Sequence, residues 1–461
     1  MAGHDHPLWS LGAGELAAAF ANGISPRSVA DATLARIRDV NPQLNAIITL
    51  DEAGAISAAD ASARRWKDGL PLSPLDGVPV TIKDNILVAG LRATWGSRLY
   101  GNFVPDEDEL PVQRLREAGA VILGKTNVPE FTVHGFTHNA AFGTTGNPWD
   151  PALTPGGSSG GAVAAVASGM GALALGTDGG GSIRRPAAHT GLFGFKPSRD
   201  TVKRGRGFPA ILHDFEVIGP IARCVDDIVR SMEVITGPAW QRQISEGVVP
   251  RPRIAYAPSF GGAPVDPLIR DVIDRTVAAM RSLGIDIELI APFDLAERLG
   301  QIWPVISQTG VAWLKLQHRD WENSVSPAIA EMAAAGAAYG ATDYLNALDT
   351  IASMRKTFEI LFGRYDFLIT PSAAAMPWPA AESHPAVIDG HPVGPRGHAV
   401  FTPVANALGL PAISLPCVVE DGALPVGLQM IAGPNRDWPL LAFAREYQDR
   451  LFVHRWPPRL R

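Results

Sequence analysis

An α/β fold built as a single large domain follows from three features of the sequence. Short apolar, β-branched runs alternate with helical segments along the whole chain, the pattern of a sheet covered by helices on both faces. The 461 residues, 46% of them hydrophobic, suffice for one large core, and α/β enzymes of this size often build one continuous sheet. Neither an internal repeat nor a low-complexity tail interrupts the rhythm.

Ser10 and the pair Ser25-Pro26 mark helix starts, the second with proline at the first helical position. Residues 11–22 and 26–39 therefore form an N-terminal helical pair, and a third helix covers 53–67. Gly77-Val-Pro-Val-Thr-Ile-Lys83 reads as a buried strand that ends in Lys-Asp-Asn. A helix over 109–118 leads into another buried strand, Ala120-Val-Ile-Leu123. The charge-free run 151–177 is too rich in Gly and Ala, and too early interrupted by Pro155, for a span of about 20 large apolar residues. It reads as a buried helix. After a Gly- and Pro-bearing connection the rhythm restarts near residue 250. Strands are expected near 253–257, 285–290, 366–370, 412–416 and 426–431, with helices near 266–283, 340–362 and 437–450. The Pro-rich stretch 371–395 is a long loop, a length uncommon without a function or disorder. The sequence leaves open whether the loop 371–400 is a lid.

Bulk properties exclude several classes. A net charge of -6 gives no reason to expect a nucleic acid or an anionic membrane as partner. Cys224 and Cys417 form no CxxC or Cys/His cluster, so neither a disulfide framework nor structural zinc is expected. They read as reduced thiols in a cytoplasmic protein. No basic region followed by an apolar core marks a secretory signal. His4-Asp5-His6 reads as a mobile terminus. His134 and His138 are four apart, but Gly135 and Thr137 weaken the helix that would align them, and no HExxH glutamate accompanies them. Neither metal nor cofactor is expected.

The chemistry lies between 156 and 184. Ser158 sits in GGSSGG and opens a small-residue helix, while Ser182 follows three glycines in GTDGGGSIR. GGSSGG is not a phosphate loop, because no Lys-Ser/Thr follows the glycines. Gly156-Gly157-Ser158-Ser159-Gly160 satisfies G-x-S-x-G, but the apolar strand that should precede a nucleophile elbow is missing. A Ser-His-Asp hydrolase using Ser158 stays as an alternative. Ser353-Met-Arg-Lys356 matches S-x-x-K without its companion motifs, and reads as an accidental helix surface. Three glycines before Ser182 allow a sharp turn with several N–H groups facing one space, as an oxyanion hole requires; a plain Gly-rich turn is the other reading.

Lys83 in VPVTIKDN, GKTNVPEF (124–131), NPWD (147–150), GGSSGG, GTDGGGSIRRPA (176–187) and GFKPS (194–198) together resemble the amidase signature family. The resemblance is close over 8–240 and weaker at FTPVANALGLPAISLP (401–416) and PVGLQMIAGP (425–434). It implies one domain over 1–461 around a mixed, twisted sheet: a helical part at 1–70, a core with the catalytic residues at 71–240, and a part at 250–461 that completes the sheet and pocket. It implies a Ser–cisSer–Lys triad, in which Ser182 attacks an amide carbonyl, Ser158 relays protons after a cis peptide bond from Gly157, and Lys83 is the base. Lys83 must then be neutral, as burial without a close carboxylate would make it. On a strand the side chain of Asp84 would point to the opposite face.

The same mapping puts the oxyanion hole at the N–H groups of Gly179, Gly180, Gly181 and Ser182. Relatives carry a larger residue at the position of Gly179, so the loop here is looser or the pocket wider. Ser159 is expected to support Lys83 or Ser158 by a hydrogen bond, and Asp178 with Arg184 to form an ion pair behind the loop. Arg185 departs from the family pattern: it recognises a substrate carboxylate or carbonyl, or it faces outward from a helix. The basic run Arg199–Arg206 is a second departure, and puts any carry-over of substrate preference in doubt. Phe131, Phe136, Trp303, Trp313 and Trp378 line an acyl pocket or belong to the core. The expected activity is cofactor-free hydrolysis of a small carboxamide or acyl amide, with a homodimer suggested by the resemblance. Alternatives are the glutaminase (A) subunit of a tRNA-dependent amidotransferase and an inactive scaffold or binding protein.

Overall fold

Eleven short strands pair into one mixed sheet in the computed structural model, which describes residues 6–460 apart from 238–239, 241–246, 248, 292 and 294. The expectation for His4 and Asp5 lies outside the described residues. In chain order the strands are β1 (Ile47–Leu50), β2 (Pro79–Lys83), β3 (Val121–Thr126), β4 (Leu173–Asp178), β5 (Phe193–Lys196) and β6 (Val217–Ala222). They continue as β7 (Arg253–Tyr256), β8 (Asp286–Leu289), β9 (Phe367–Pro371), β10 (Ala412–Pro416) and β11 (Gly427–Ala432). Their order across the sheet is β1-β3-β2-β4-β6-β5-β10-β11-β9-β7-β8. Two parallel groups, β3-β2-β4 and β9-β7-β8, flank an antiparallel centre. The central strands are buried along their whole length, as a sheet covered on both faces requires.

The sequence-derived elements lie within one or two residues of their expected ends at most positions, including β2, β10 and the helices Glu52–Lys67, Leu110–Glu117, Pro267–Ser282 and Asp437–Leu451. The differences have physical causes. The helix that begins at Pro26 runs to Leu44 rather than 39, passing through Pro42 in its last turn, and ends at Asn45 in the left-handed region with φ 50°. Only one backbone bond is lost to the proline there. The charge-free run 151–177 is not one helix. It is a helix at Gly160–Ala167 and the strand β4, separated by Gly169 and Gly171 at φ +79° and +148°, and small apolar residues carry no periodicity that would separate the two. Strands β1, β5 and β6 have no counterpart among the expected strands; in β6, Gly219-Pro220 in the middle reads as a turn. The helices Val225–Thr236, Leu295–Lys315 and Pro327–Gly336 likewise go beyond the sequence-derived set. The loop 371–400 contains a hairpin of two-residue strands, Val387–Ile388 with His391–Pro392, and the short 3-10 turn Gly397–Ala399.

The helix Gly160–Ala167 matters most for the site, because its N-terminus follows Ser158 directly. It is buried on all sides. Ala162, Val163, Val166 and Ala167 pack with Ala174, Ile183 and Ile221, while Ala164 and Ala165 pack with Leu34, Ile37, Val121 and Leu123. A helix between two apolar layers needs no polar face, which explains its composition. Its first turn is pressed against the backbone: a Cβ on Gly161 would stand 2.6 Å from the Ala46 carbonyl oxygen and 2.7 Å from that of Asn127. Gly161→Ala must push the helix off this contact. We expect a loss of about 1–3 kcal/mol, the range for overpacking, read as a lowered urea midpoint. An unchanged midpoint would show that the contact is slack.

Candidate active site

Strand β2 lies between β3 and β4, all three parallel, so Lys83 stands where parallel strands end, the region of open α/β sheets in which ligands collect. The lysine is fully buried. Its Nζ lies 2.8 Å from Ser158 Oγ, 2.8 Å from Thr177 Oγ1 and 3.0 Å from the Thr177 carbonyl oxygen. Among the described residues no carboxylate bonds to it. Asp84 instead accepts hydrogen bonds from Thr94 N and Oγ1 at 2.9 and 2.5 Å, and lies 3.6 Å from Lys125 Nζ. Burial lowers the Lys83 pKa to about 7; the charges of Glu216 and Asp178 oppose the shift, and those of Arg204 and Arg185 add to it.

Ser158 is presented by a tight loop. Gly156 has φ +84° and the Gly157–Ser158 peptide is cis. A Cβ on Gly157 would stand 2.7 Å from the carbonyl oxygen and 2.8 Å from the nitrogen of Phe136, so only glycine fits beneath that segment. The expectation for Ser159 needs correction. Its hydroxyl donates to the Thr177 carbonyl oxygen at 3.2 Å, not to Lys83 or Ser158, because the helix start turns it toward β4. Its backbone N–H donates to the Ser182 carbonyl oxygen at 3.1 Å and so ties the two serine loops together.

Ser182 follows β4 in the loop that precedes the helix Arg184–Thr190. It is 7% exposed. Asp178 organises this loop, accepting from Gly181 N at 2.6 Å and Ile183 N at 3.1 Å, and from Arg184 Nε and Nη2 at 3.0 and 2.8 Å. Both members of this ion pair have fully buried side chains. Burial alone would raise the Asp178 pKa, but Arg184 and Asn406 outweigh it and hold the group well below the usual carboxylate range. The Gly181 N–H is therefore engaged by Asp178 and cannot face a substrate oxyanion, which corrects the expected set of four donors. The N–H groups of Gly179, Gly180 and Ser182 have no acceptor among the described residues.

Trp303 and Arg185 line the cleft over Ser182, together with Thr132, His134, Leu212 and Arg396. Arg185 does not face outward. It is 3% exposed, donating through Nη1 to the Gly180 carbonyl and to Thr402 Oγ1 at 3.0 Å, and through Nη2 to the Gly157 carbonyl at 3.4 Å. Phe131 and Trp378 lie outside this lining. Phe131 is buried in the core, stacked on Trp321 at 5.6 Å and edge-on to Trp95 at 5.2 Å. Trp378 donates from Nε1 to the Glu382 carbonyl at 2.9 Å and packs on His189 and His398. Trp313 is exposed and Phe136 half-buried. His138 is exposed, 2.8 Å from Thr144 Oγ1, and among the described residues no three His, Cys, Asp or Glu side chains gather as a metal site would require.

Sequence reasoning missed Thr177, Asn85, Arg396, Thr402 and Asn406. Asn85 Nδ2 donates to Thr177 Oγ1 at 3.1 Å and so braces the lysine cradle. Thr402 Oγ1 donates to the Gly180 carbonyl oxygen at 2.9 Å, and Asn406 Nδ2 to the Asp178 carbonyl oxygen at 2.7 Å. The last two explain why the block 401–416 accompanies the glycine loop. Arg396 had no signal beyond its place in the loop 371–400.

Residues 28–441 match the family model described as Amidase. The glutamyl-tRNA(Gln) amidotransferase (A) subunit of Symbiobacterium thermophilum is 34% identical over 95% of this chain and 96% of its own. An acylamidase of Rhodococcus erythropolis is 34% identical over 95% of each chain. A bacterial aryl acylamidase of the amidase signature enzymes superposes with a TM-score of 0.87 at 27% identity, covering 96% of this chain and 97% of that one. No described helix is long and apolar enough to cross a membrane.

The Asp178–Arg184 pair carries the geometry of the serine loop, which gives a stability test. Arg184→Leu leaves a buried carboxylate without its cation, a change worth about 3–5 kcal/mol. A drop of that size in unfolding free energy is expected. A loss below about 1 kcal/mol would mean that the backbone N–H groups alone hold Asp178.

Proposed function

We propose, for a chain that belongs to the amidase signature family and is a hydrolase of amide C–N bonds, that Ser182 is the nucleophile, Ser158 the proton relay and Lys83 the base. The observation that carries this reading is the surroundings of the lysine amine. Thr177 offers it two acceptors, a carbonyl and a hydroxyl oxygen. A neutral amine directs its two N–H bonds there and turns its lone pair to the Ser158 hydroxyl, 2.8 Å away. Burial favours that neutral form.

In this mechanism Ser182 Oγ adds to the amide carbonyl carbon while its proton passes to Ser158, whose own proton passes to Lys83. The carbonyl oxygen becomes an oxyanion facing the free N–H groups of Gly179, Gly180 and Ser182. As the C–N bond breaks, the relay runs backward: Ser158 protonates the leaving nitrogen and takes its replacement from Lys83. Water then attacks the acyl-enzyme through the same relay and releases the acid and Ser182. The substrate is read as a small carboxamide or acyl amide.

A second reading is the glutaminase subunit of an amidotransferase, favoured by the likeness to the Symbiobacterium protein over nearly the whole of both chains. Turnover of simple amides by the chain alone, without release of ammonia from glutamine, decides for the hydrolase; the reverse pattern decides for the amidotransferase role.

Two further outcomes test the triad. Lys83→Met should lower kcat by at least about a thousandfold with an intact fold; retention of most activity would overturn the lysine base and favour Ser158 paired with a histidine. The pH profile follows from the sign of the Lys83 shift. The active form is the deprotonated one and the pKa is about 7, so kcat/KM should fall about tenfold per pH unit below 7 and level off above it. A rate that is flat down to pH 5 would exclude this base.

A further inference from the structure

Two guanidinium groups line the same cleft as Ser182, and among the described residues neither has a carboxylate partner. The carboxylate that acts on Arg185, Asp178, is already paired with Arg184 through two hydrogen bonds. The remaining acceptors of Arg185 are the Gly180 and Gly157 carbonyls and the Thr402 hydroxyl, which orient its charge without neutralising it. Its Nε is buried without a hydrogen-bond partner. Arg396 lies over the Trp303 ring, its Cζ 4.3 Å from the centroid. Among the described residues its guanidinium makes no hydrogen bond or ion pair, and its Nη2 is buried and unpartnered.

Among the described residues that line the cleft, none is an acid. His134 beside them is held neutral: burial, then Arg396, lowers its pKa to about 4. His398, behind the cleft, is likewise kept well below its ordinary value by burial, then by Arg185 and Arg396. Burial, then the charge of Arg185, lowers the pKa of Arg396 to about 9, so holding both cations at one cleft costs free energy unless an anion joins them. A buried cation without a partner is the signature of a site built for an anion, and a planar guanidinium fits a carboxylate through paired N–H donors.

We propose that Arg185 and Arg396 form a carboxylate-binding site beside Ser182, so that the preferred substrates are amides that carry a carboxylate. The inference rests on the amide-hydrolysis reading and adds the substrate class. Arg185 lies one helical turn past the nucleophile, its backbone N–H bonded to the Gly181 carbonyl at 2.9 Å. The bound anion is therefore close to the reacting carbonyl, as in a short half-amide of a dicarboxylic acid. Arg396 closes the site from the loop 371–400, and the Trp303 ring beneath it fixes its plane.

The test uses two readouts on the intact enzyme. In the first, a fluorophosphonate labels Ser182 in the presence of succinate or glutarate, or of the neutral diamides succinamide and glutaramide. The dicarboxylates should protect at concentrations at least about tenfold lower than the diamides, and Arg396→Gln should bring the two within about twofold, with Arg396→Lys between. In the second, kcat/KM for succinamate and glutaramate is compared with that for their methyl esters, and the same substitution should collapse the preference for the acids. Because each readout is a ratio measured on one protein, a general loss of activity or stability cancels. Equal protection by dicarboxylates and diamides, with Ser182 still labelled, overturns the carboxylate site and leaves the amidase reading standing. A Ser182 that cannot be labelled, with no amide turned over, overturns both.

Discussion

The constraint on which the rest of the site depends is the burial of one amine without a carboxylate to hold it. A lysine paired with an acid keeps its proton at any physiological pH, whereas an unpaired one in a dry cradle gives it up near neutrality. Thr177 is the device that makes this burial tolerable. It satisfies the N–H bonds with uncharged oxygens, and Asn85 holds its hydroxyl in place. The adjacent acid, Asp84, is drawn away by Thr94 and Lys125. The parallel pairing of β2 with β4 is what brings Lys83 and Thr177 side by side.

The serine loops follow a complementary logic. Asp178 and Arg184 form a buried pair whose carboxylate fastens the backbone of the loop. This engages one glycine N–H and leaves its neighbours free, so that rigidity and available donors come from one interaction. The Ser159 backbone joins the two loops, and Thr402 and Asn406 brace the assembly from the far part of the chain. Fixed donors in a water-poor site are worth more than mobile ones, because they need not reorganise as charge develops.

Charge is distributed unevenly around Ser182. On the lysine side, the cradle is neutral and the nearby acids are engaged. On the cleft side, Arg185 and Arg396 stand without a counterion among the described residues. With Arg185 one turn after Ser182 and Arg396 on the loop 371–400, that loop forms a wall of the cleft that carries charge.

The sequence by itself determined the α/β class and many strand and helix positions, because glycines, small residues and β-branched runs form local patterns that short-range sterics can explain. Lys83, Ser158 and Ser182 stood out only through blocks that resemble the amidase signature family, and the fold sets Lys83 Nζ 2.8 Å from Ser158 Oγ. The sequence could not separate helix from strand within 151–177, where Ala and Gly carry no periodicity, nor place β1, β5 and β6, the last because Gly219-Pro220 imitates a turn. Tertiary structure alone decided which glycine N–H groups stay free, that Thr177 rather than Ser159 cradles the amine, and that Phe131 and Trp378 are core. It also decided that Arg396, 211 positions further along the chain, meets Arg185 at one cleft. These outcomes depend on which side chains the sheet order brings together in space, and no local sequence pattern encodes a contact made by distant strands and loops.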